Sequence, residues 1–130
     1  MREILFRGKS KVQGSEWLYG DVLIYENSAQ IWETINGRKH NSVVSLETIG
    51  QYTGLTANGI KIFEGDIVAG AVHWLERMKN GVVVFRDGSF GLLWYRGEVE
   101  QFAPFTSLCN VEYEVIGNIH DNPDLLEGGE

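Results

Sequence analysis

Eighteen carboxylates, three histidines and one cysteine are the groups in this 130-residue chain that could do metal, acid–base or nucleophilic chemistry. Their spacing decides whether they do. A metal site needs clustered ligands, and His40, His73 and His120 are far apart and share no spacing with Cys109. A nucleophile needs an adjacent base and a group to orient it, and no serine or cysteine has such surroundings. The glycines do not form the G-x-x-x-x-G-K phosphate loop. Paired carboxylates such as Glu64 and Asp66 could act as acid and base. They flank Gly65 in a run of turn residues, where an Asp bonds nearby backbone amides and holds a bend. The expectation is no catalytic residue, no cofactor, no metal, and a protein that is not an enzyme.

Pairs of a ring and a base are more suggestive. Phe6-Arg7, Phe85-Arg86 and Tyr95-Arg96 each end a strand candidate, and Trp74 precedes Arg77 and Lys79. Stacking rings beside a basic track are what single-stranded nucleic acid binders use. Tryptophans, of which there are four, also anchor subunit interfaces. Arg7, Trp74, Arg86, Tyr95 and Arg96 are therefore the candidate interaction surface. The plainer reading is that neighbours on a strand face opposite ways, the ring toward the core and the arginine toward water.

The elements that must position these groups are short strands. The pattern predicts strands over Glu3 to Arg7, Glu16 to Glu26, Ala29 to Ile35 and Ser42 to Leu46. Further strands are predicted at Tyr52-Thr53, Lys61-Ile62, Asp66 to His73, Gly81 to Arg86, Phe90 to Tyr95 and Tyr113 to Ile119. Asn36-Gly37, Asn58-Gly59, Asn80-Gly81 and Asp87-Gly88 are turn signals. Gly50, Gly54, Gly59 and Gly65 supply positions where positive φ costs nothing, and Thr48 and Thr53 suit strand edges. Val82 to Phe85 is continuously apolar, which predicts a central strand covered on both faces. Helix is confined to one turn near the C-terminus, with Asn122 as cap, Pro123 at its first position, and Leu125 and Leu126 pinning the tail. The segment from Trp74 to Lys79 suits either a short helix or a loop tip. Tyr19-Gly20-Asp21-Val22-Leu23 echoes Glu64-Gly65-Asp66-Ile67-Val68. A true repeat would give two similar half-barrels, although Gly-Asp is common at turns without any repeat.

These signals predict a mainly β, single compact domain over residues 1–130, its short bent strands forming a barrel-like body. No linker interrupts residues 1–120. A chain of this size buries roughly 65–70% of its unfolded surface, enough for a core without staples. A lone cysteine forms no internal disulfide and fits a reducing cytoplasm. No apolar run approaches the ~20 residues of a membrane span, and MREILFRGKS lacks a signal-peptide pattern. The net charge of −7 is unevenly spread. Residues 1–96 hold ten acids and eleven bases, whereas the last 34 residues hold eight acids and no lysine or arginine. The acidic tail, about 120–130, suits solubility or a basic partner, and the overall charge argues against non-specific DNA coating.

Three blocks carry a resemblance: MREILFRGKS with GSEWLYGDVLIYEN, then ETIGQYTGLTANGIKIFEGDIV, and finally YEVIGNIHDNPDLL. In type and order they resemble the YopX family, small proteins encoded by bacteriophages and prophages. The family's usual Asp-Lys-Asn-Gly turn stands here as Thr56-Ala57-Asn58-Gly59. The resemblance implies a phage-borne, mostly β protein with a barrel-like body, and it implies no reaction. The leading expectation is a non-enzymatic accessory protein of the host cytoplasm that binds a protein or assembles with itself. The alternative is a nucleic-acid-binding small barrel whose acidic tail competes for its own basic face. A third reading is an inhibitor whose acidic end mimics nucleic acid.

Overall fold

The computed structural model describes residues 3–12, 16–72, 80–105 and 111–127. In chain order it contains β1 (Phe6–Lys9), β2 (Trp17–Tyr25), β3 (Ser28–Ile35), β4 (Arg38–Val44), a 3-10 turn (Leu46–Thr48) and β5 (Gly50–Ala57). There follow β6 (Ile60–Phe63), β7 (Asp66–Val72), β8 (Gly81–Arg86), β9 (Ser89–Arg96), β10 (Val99–Pro104), β11 (Val111–Asn118) and α1 (Asp124–Glu127). The strands form two sheets, ordered β4-β3-β2-β1-β5-β6 and β10-β9-β8-β7-β11. The chain divides into two compact units, residues 1–54 and 55–130, with β5 crossing the boundary. The mainly β class with one helical turn near the C-terminus is as the sequence predicts.

In the first unit, β2 changes partner midway. Trp17 to Gly20 pair with β1, and Asp21 to Tyr25 pair with β3. At this switch the Trp32 carbonyl comes so close that a Cβ on Gly20 would overlap it. Leu18, Ala29, Ile31 and Val44 are buried together, with Phe6, Val22, Leu46 and Ile49 packed on them. All four strands thus contribute alternate residues to one face. The sheet curls until the end of β4 meets the continuation of β1. A Ser10–Val44 bridge marks the contact, and the Lys11 N–H bonds the Val43 carbonyl at 3.1 Å. This is the nearest approach to a barrel, and neither sheet closes along its length among the described residues. Thr48 locks the corner, its Oγ1 accepting from the Lys9 N–H at 2.9 Å and donating to the Ser45 carbonyl at 2.6 Å. It therefore belongs to a buried turn, not a strand edge.

The second unit packs Ala57, Ile62, Val68, Val83 and Leu92 into a core backed by Trp94, Phe105, Tyr113 and Val115. The register puts Val83 opposite Leu92, and Val115 opposite Val68, so these side chains share one sheet face. Phe105 and Tyr113 meet edge to face, with centroids 5.4 Å apart. The turn before β7 is bonded on both sides. Gly65 donates to the Val83 carbonyl at 2.9 Å and accepts from the Ile119 N–H at 2.9 Å.

Several local expectations are corrected. Asn36-Gly37, Asn58-Gly59 and Asp87-Gly88 all take positive φ, as two-residue hairpin turns require. Asn80-Gly81 does not. Gly81 opens β8, buried against Leu92 and Leu93, and the Asn80 amide donates to the Leu125 carbonyl at 3.0 Å. Gly54, Gly59 and Gly65 have positive φ, whereas Gly50 is an ordinary strand residue opposite Arg7. The turn between β2 and β3 carries no glycine, and Glu26 adopts φ 56° there. β10 lacks a sequence prediction altogether, because VEQFAP has neither a β-branched run nor clean alternation. β8 is central in its sheet, but its last apolar residue, Phe85, is 55% exposed. Asn122 caps no helix with its side chain. Its Oδ1 accepts from the Asn118 N–H at 3.3 Å, while the Leu125 N–H bonds the Asn122 carbonyl at 3.1 Å. Leu125 and Leu126 are half-buried, and a Cβ on Gly117 would lie 2.9 Å from Leu125 Cδ1. The tail is thus pinned where the sequence places it. The segment Trp74 to Lys79 and Cys109 lie outside the described residues.

Candidate interaction surfaces

Arg7 sits in the middle of β1, opposite Tyr19 on one side and Gly50 on the other. Period-two alternation sends Phe6 to the core cluster and Arg7 to the opposite face. Arg7 is nonetheless only 6% exposed, and its guanidinium lies 4.6 Å from the Trp17 ring centroid. Lys9, two residues on, is 5.8 Å from the same ring. This is a cation–π stack, with its arginine withdrawn from solvent.

Arg86 and Tyr95 come together in the second unit through residues the sequence reading did not name. Arg86 pairs with Glu100 and lies 5.5 Å from the Phe102 ring centroid. The Tyr95 hydroxyl reaches the other Glu100 oxygen at 3.4 Å. Tyr95 faces Glu100 across the β9–β10 ladder, which explains the shared face. Phe85 projects to the other face with Phe90, their rings edge to face at 4.9 Å. The ring-to-core, arginine-to-water reading is met only in part here, because Phe85 shares the sheet face of Val83 and Leu92 without being buried, while Arg86 lies on the opposite face. Phe85 and Tyr95 are 55% and 52% exposed, while Arg86 is tied down by Glu100 and Phe102. Arg96 closes β9, and Trp74 lies outside the described residues.

A larger surface escaped the sequence reading. On β2, the face opposite Leu18 and Val22 carries Tyr19, Asp21, Leu23 and Tyr25. The ladders add Gln30 and Trp32 from β3, and Lys39, Asn41 and Val43 from β4. Tyr19, Leu23, Tyr25 and Val43 are all more than two-fifths exposed, Tyr25 at 70%. Polar links stitch the strands between them: the Asn41 amide donates to Gln30 Oε1 at 3.0 Å, and Lys39 lies 3.9 Å from Asp21. Alternation was the available signal. It is masked because Val22-Leu23-Ile24-Tyr25 is apolar at every position.

Asp66 holds a turn. The Asp66 side chain is buried and accepts the Phe63 N–H at 2.8 Å, bracing the turn around Gly65. Asn118 Oδ1 accepts from the His120 and Asp121 N–H groups at 3.0 and 2.9 Å. Through Asp66 opposite Asn118 and Gly65 bonded to Ile119, the IFEGDIV and IGNIHDNPDLL segments are parts of one assembly. His40 stands on β4, whereas His120 lies in the turn after β11. No group of three or more His, Cys, Asp or Glu is placed to hold a metal among the described residues. No described helix is long and apolar enough to cross a membrane.

This is a mostly β protein of antiparallel sheets in which buried Thr48 and Asp66 hold turns and the exposed groups include rings and aliphatics. A family model for the YopX protein matches residues 5–127 and spans both units. The chain belongs to the YopX family. Among solved structures it is similar to the crystal structure of protein EF1440 from Enterococcus faecalis. The likeness has 26% identity and a TM-score of 0.56, over 97% of this chain and 99% of that one. Among curated proteins none matches significantly.

Proposed function

We propose that the chain is a non-enzymatic, phage- or prophage-encoded accessory protein that acts in the bacterial cytoplasm by binding protein. The observation that carries this reading is the exposed face of β2, β3 and β4, with Tyr19, Leu23, Tyr25 and Val43 beside half-buried Trp32. Exposed rings and aliphatics interleaved with polar groups suit a protein interface, where Tyr and Trp are enriched. The single-strand reading asks for exposed cations beside exposed rings. Arg7 is buried and Arg86 is paired with Glu100, so two of its named bases are poorly placed for phosphate.

Affinity recovery of the tagged chain from host lysate, with and without nuclease, tests the proposal. Leu23→Ser combined with Tyr25→Ser serves as the face-disrupted control. The expected result is a stoichiometric protein that survives nuclease and is lost with the control. Recovery that vanishes with nuclease would shift the reading to nucleic acid. Turnover in a substrate panel, abolished by Glu64→Ala or Asp66→Ala, would overturn the non-enzymatic reading.

A further inference from the structure

Strand β4 is an outer strand of its sheet among the described residues, with β3 on one side only. Its sequence, RKHNSVV, opens with Arg38, Lys39, His40 and Asn41, all exposed, and contains no acid. In an antiparallel ladder alternate residues exchange hydrogen bonds with the neighbouring strand, and those between turn their N–H and C=O away from it. The Val43 carbonyl accepts from the Lys11 N–H, so Val43 belongs to the outward-turned set. Alternation places Asn41 and Lys39 in the same set. Val43 and Val44 are covered by Lys11 and Ser10. Beyond them no described strand lies against Asn41 and Lys39.

The side chains along this open edge are basic. Arg38 stands opposite Ile35, with no carboxylate at its register position, and His40 stands opposite Glu33. Lys39 lies 3.9 Å from Asp21, but the two side chains are 60% and 74% exposed, and a pair so open to water contributes little. Cations on an edge repel strands that carry cations of their own. They suit a strand of the other sign, because opposite charges directly across a ladder stabilise it. Lys39 and Asn41 also share the outer face with Leu23, Tyr25 and Val43. A strand added to β4 therefore extends the face that carries the exposed rings.

We propose that β4 is an acceptor edge, to which an extended segment of a partner protein adds antiparallel, with acidic residues opposite Arg38 and Lys39. Strand addition draws affinity from main-chain hydrogen bonds and specificity from the side chains. Here Lys39 and Asn41 each supply an N–H and a C=O, and the two cations select the sign of the partner. This inference rests on the protein-binding reading and names the partner's chemistry at the border of that face. The alternative, that the β4 cations only keep other strands away, predicts an edge that takes no strand of either charge.

Backbone amide exchange of the full chain, titrated with a capped peptide, separates the two. The probe is Thr-Thr-Val-Glu-Glu, whose glutamates fall opposite Lys39 and Arg38 in the antiparallel register. It should protect the Lys39 and Asn41 amides and bind less tightly as salt is raised. The same peptide ending in Lys-Lys should bind about tenfold more weakly or worse. Arg38→Glu with Lys39→Glu should reverse that preference, and its gain for the Lys-Lys peptide also shows that the variant folds. An acidic peptide that leaves both amides unprotected overturns the inference, as does equal binding of the two peptides. Wild-type self-association that the double variant abolishes overturns it too, because the edge would then take a second copy. In lysate, the double variant should lose the protein that the wild type recovers. A protein kept by the double variant but lost with Leu23→Ser and Tyr25→Ser would sink the added strand and leave the protein-binding reading standing.

Discussion

Gly20-Asp21 and Gly65-Asp66 are the same dipeptide under opposite constraints. Gly20 lies inside β2, where the strand changes partner and the Trp32 carbonyl occupies the space a side chain would need. Gly65 lies in a turn at φ 93°, with its own backbone bonded on both sides. The aspartates differ as much. Asp21 is 74% exposed beside Lys39, whereas Asp66 is buried with the Phe63 N–H on its carboxylate. One step is a close backbone approach, and the other is a braced turn. The YGDVL and EGDIV echo is thus not a structural repeat at the step they share. It shows that a glycine can be demanded by space in one place and by backbone angle in another.

Substitutions that separate space from angle sharpen the contrast. Gly20→Val should be the most damaging, at about 3 kcal/mol or more, because two packed backbones would have to part. The urea midpoint reads this directly, and an unchanged midpoint would show that β2 does not press on Trp32. Asp66→Ala comes next, at roughly 2 kcal/mol, since it removes a charged acceptor from the buried Phe63 N–H. Equilibrium unfolding should detect it, and no loss would remove the brace from the account of the turn.

Gly65→Ala follows at about 1–2 kcal/mol, the cost of forcing a side chain into left-handed backbone. The order of replacements is the sharper readout. Asn should be milder than Ala at position 65, because it tolerates that region. At position 20, Asn should be worse than Ala, because every added atom meets backbone. Parallel melting curves for the four variants decide the matter, and the same order at both sites would erase the distinction. Smallest of all is Asp21→Asn. An exposed pair with Lys39 contributes little, so stability should stay within about 0.5 kcal/mol of the wild type. A larger loss would place Asp21 in an unrecognised contact.

Local chemistry explains what was legible. Asn36-Gly37, Asn58-Gly59 and Asp87-Gly88 form the predicted hairpin turns, because positive φ is a property of the residues themselves. Asp66 braces its bend for the same local reason, its acceptor being three residues from the donor. β10 was missed because an edge strand with Pro104 and a polar start has little pattern of its own. It exists because β9 supplies a ladder for it. The candidate surface fared unevenly. Arg86 and Tyr95 do share a face, but they do so through Glu100 and Phe102, which lie five to sixteen positions away from them in the chain. The apolar face of β2 went unread because its four consecutive apolar residues hide which ones face outward.

By itself, the order of residues determined the β class, most of the turns, the pinned C-terminal tail and membership in the YopX family. These follow from side-chain periodicity and backbone preference, which act over a few positions. Tertiary structure decided which strands are neighbours, where β2 changes partner, that Arg7 is buried while Phe85 is exposed, and which strands are left as edges. The physical reason is that strand pairing is made by main-chain hydrogen bonds that every residue can accept and every residue except proline can donate. The choice of partner is therefore settled by packing between segments distant in sequence, and no local window contains it.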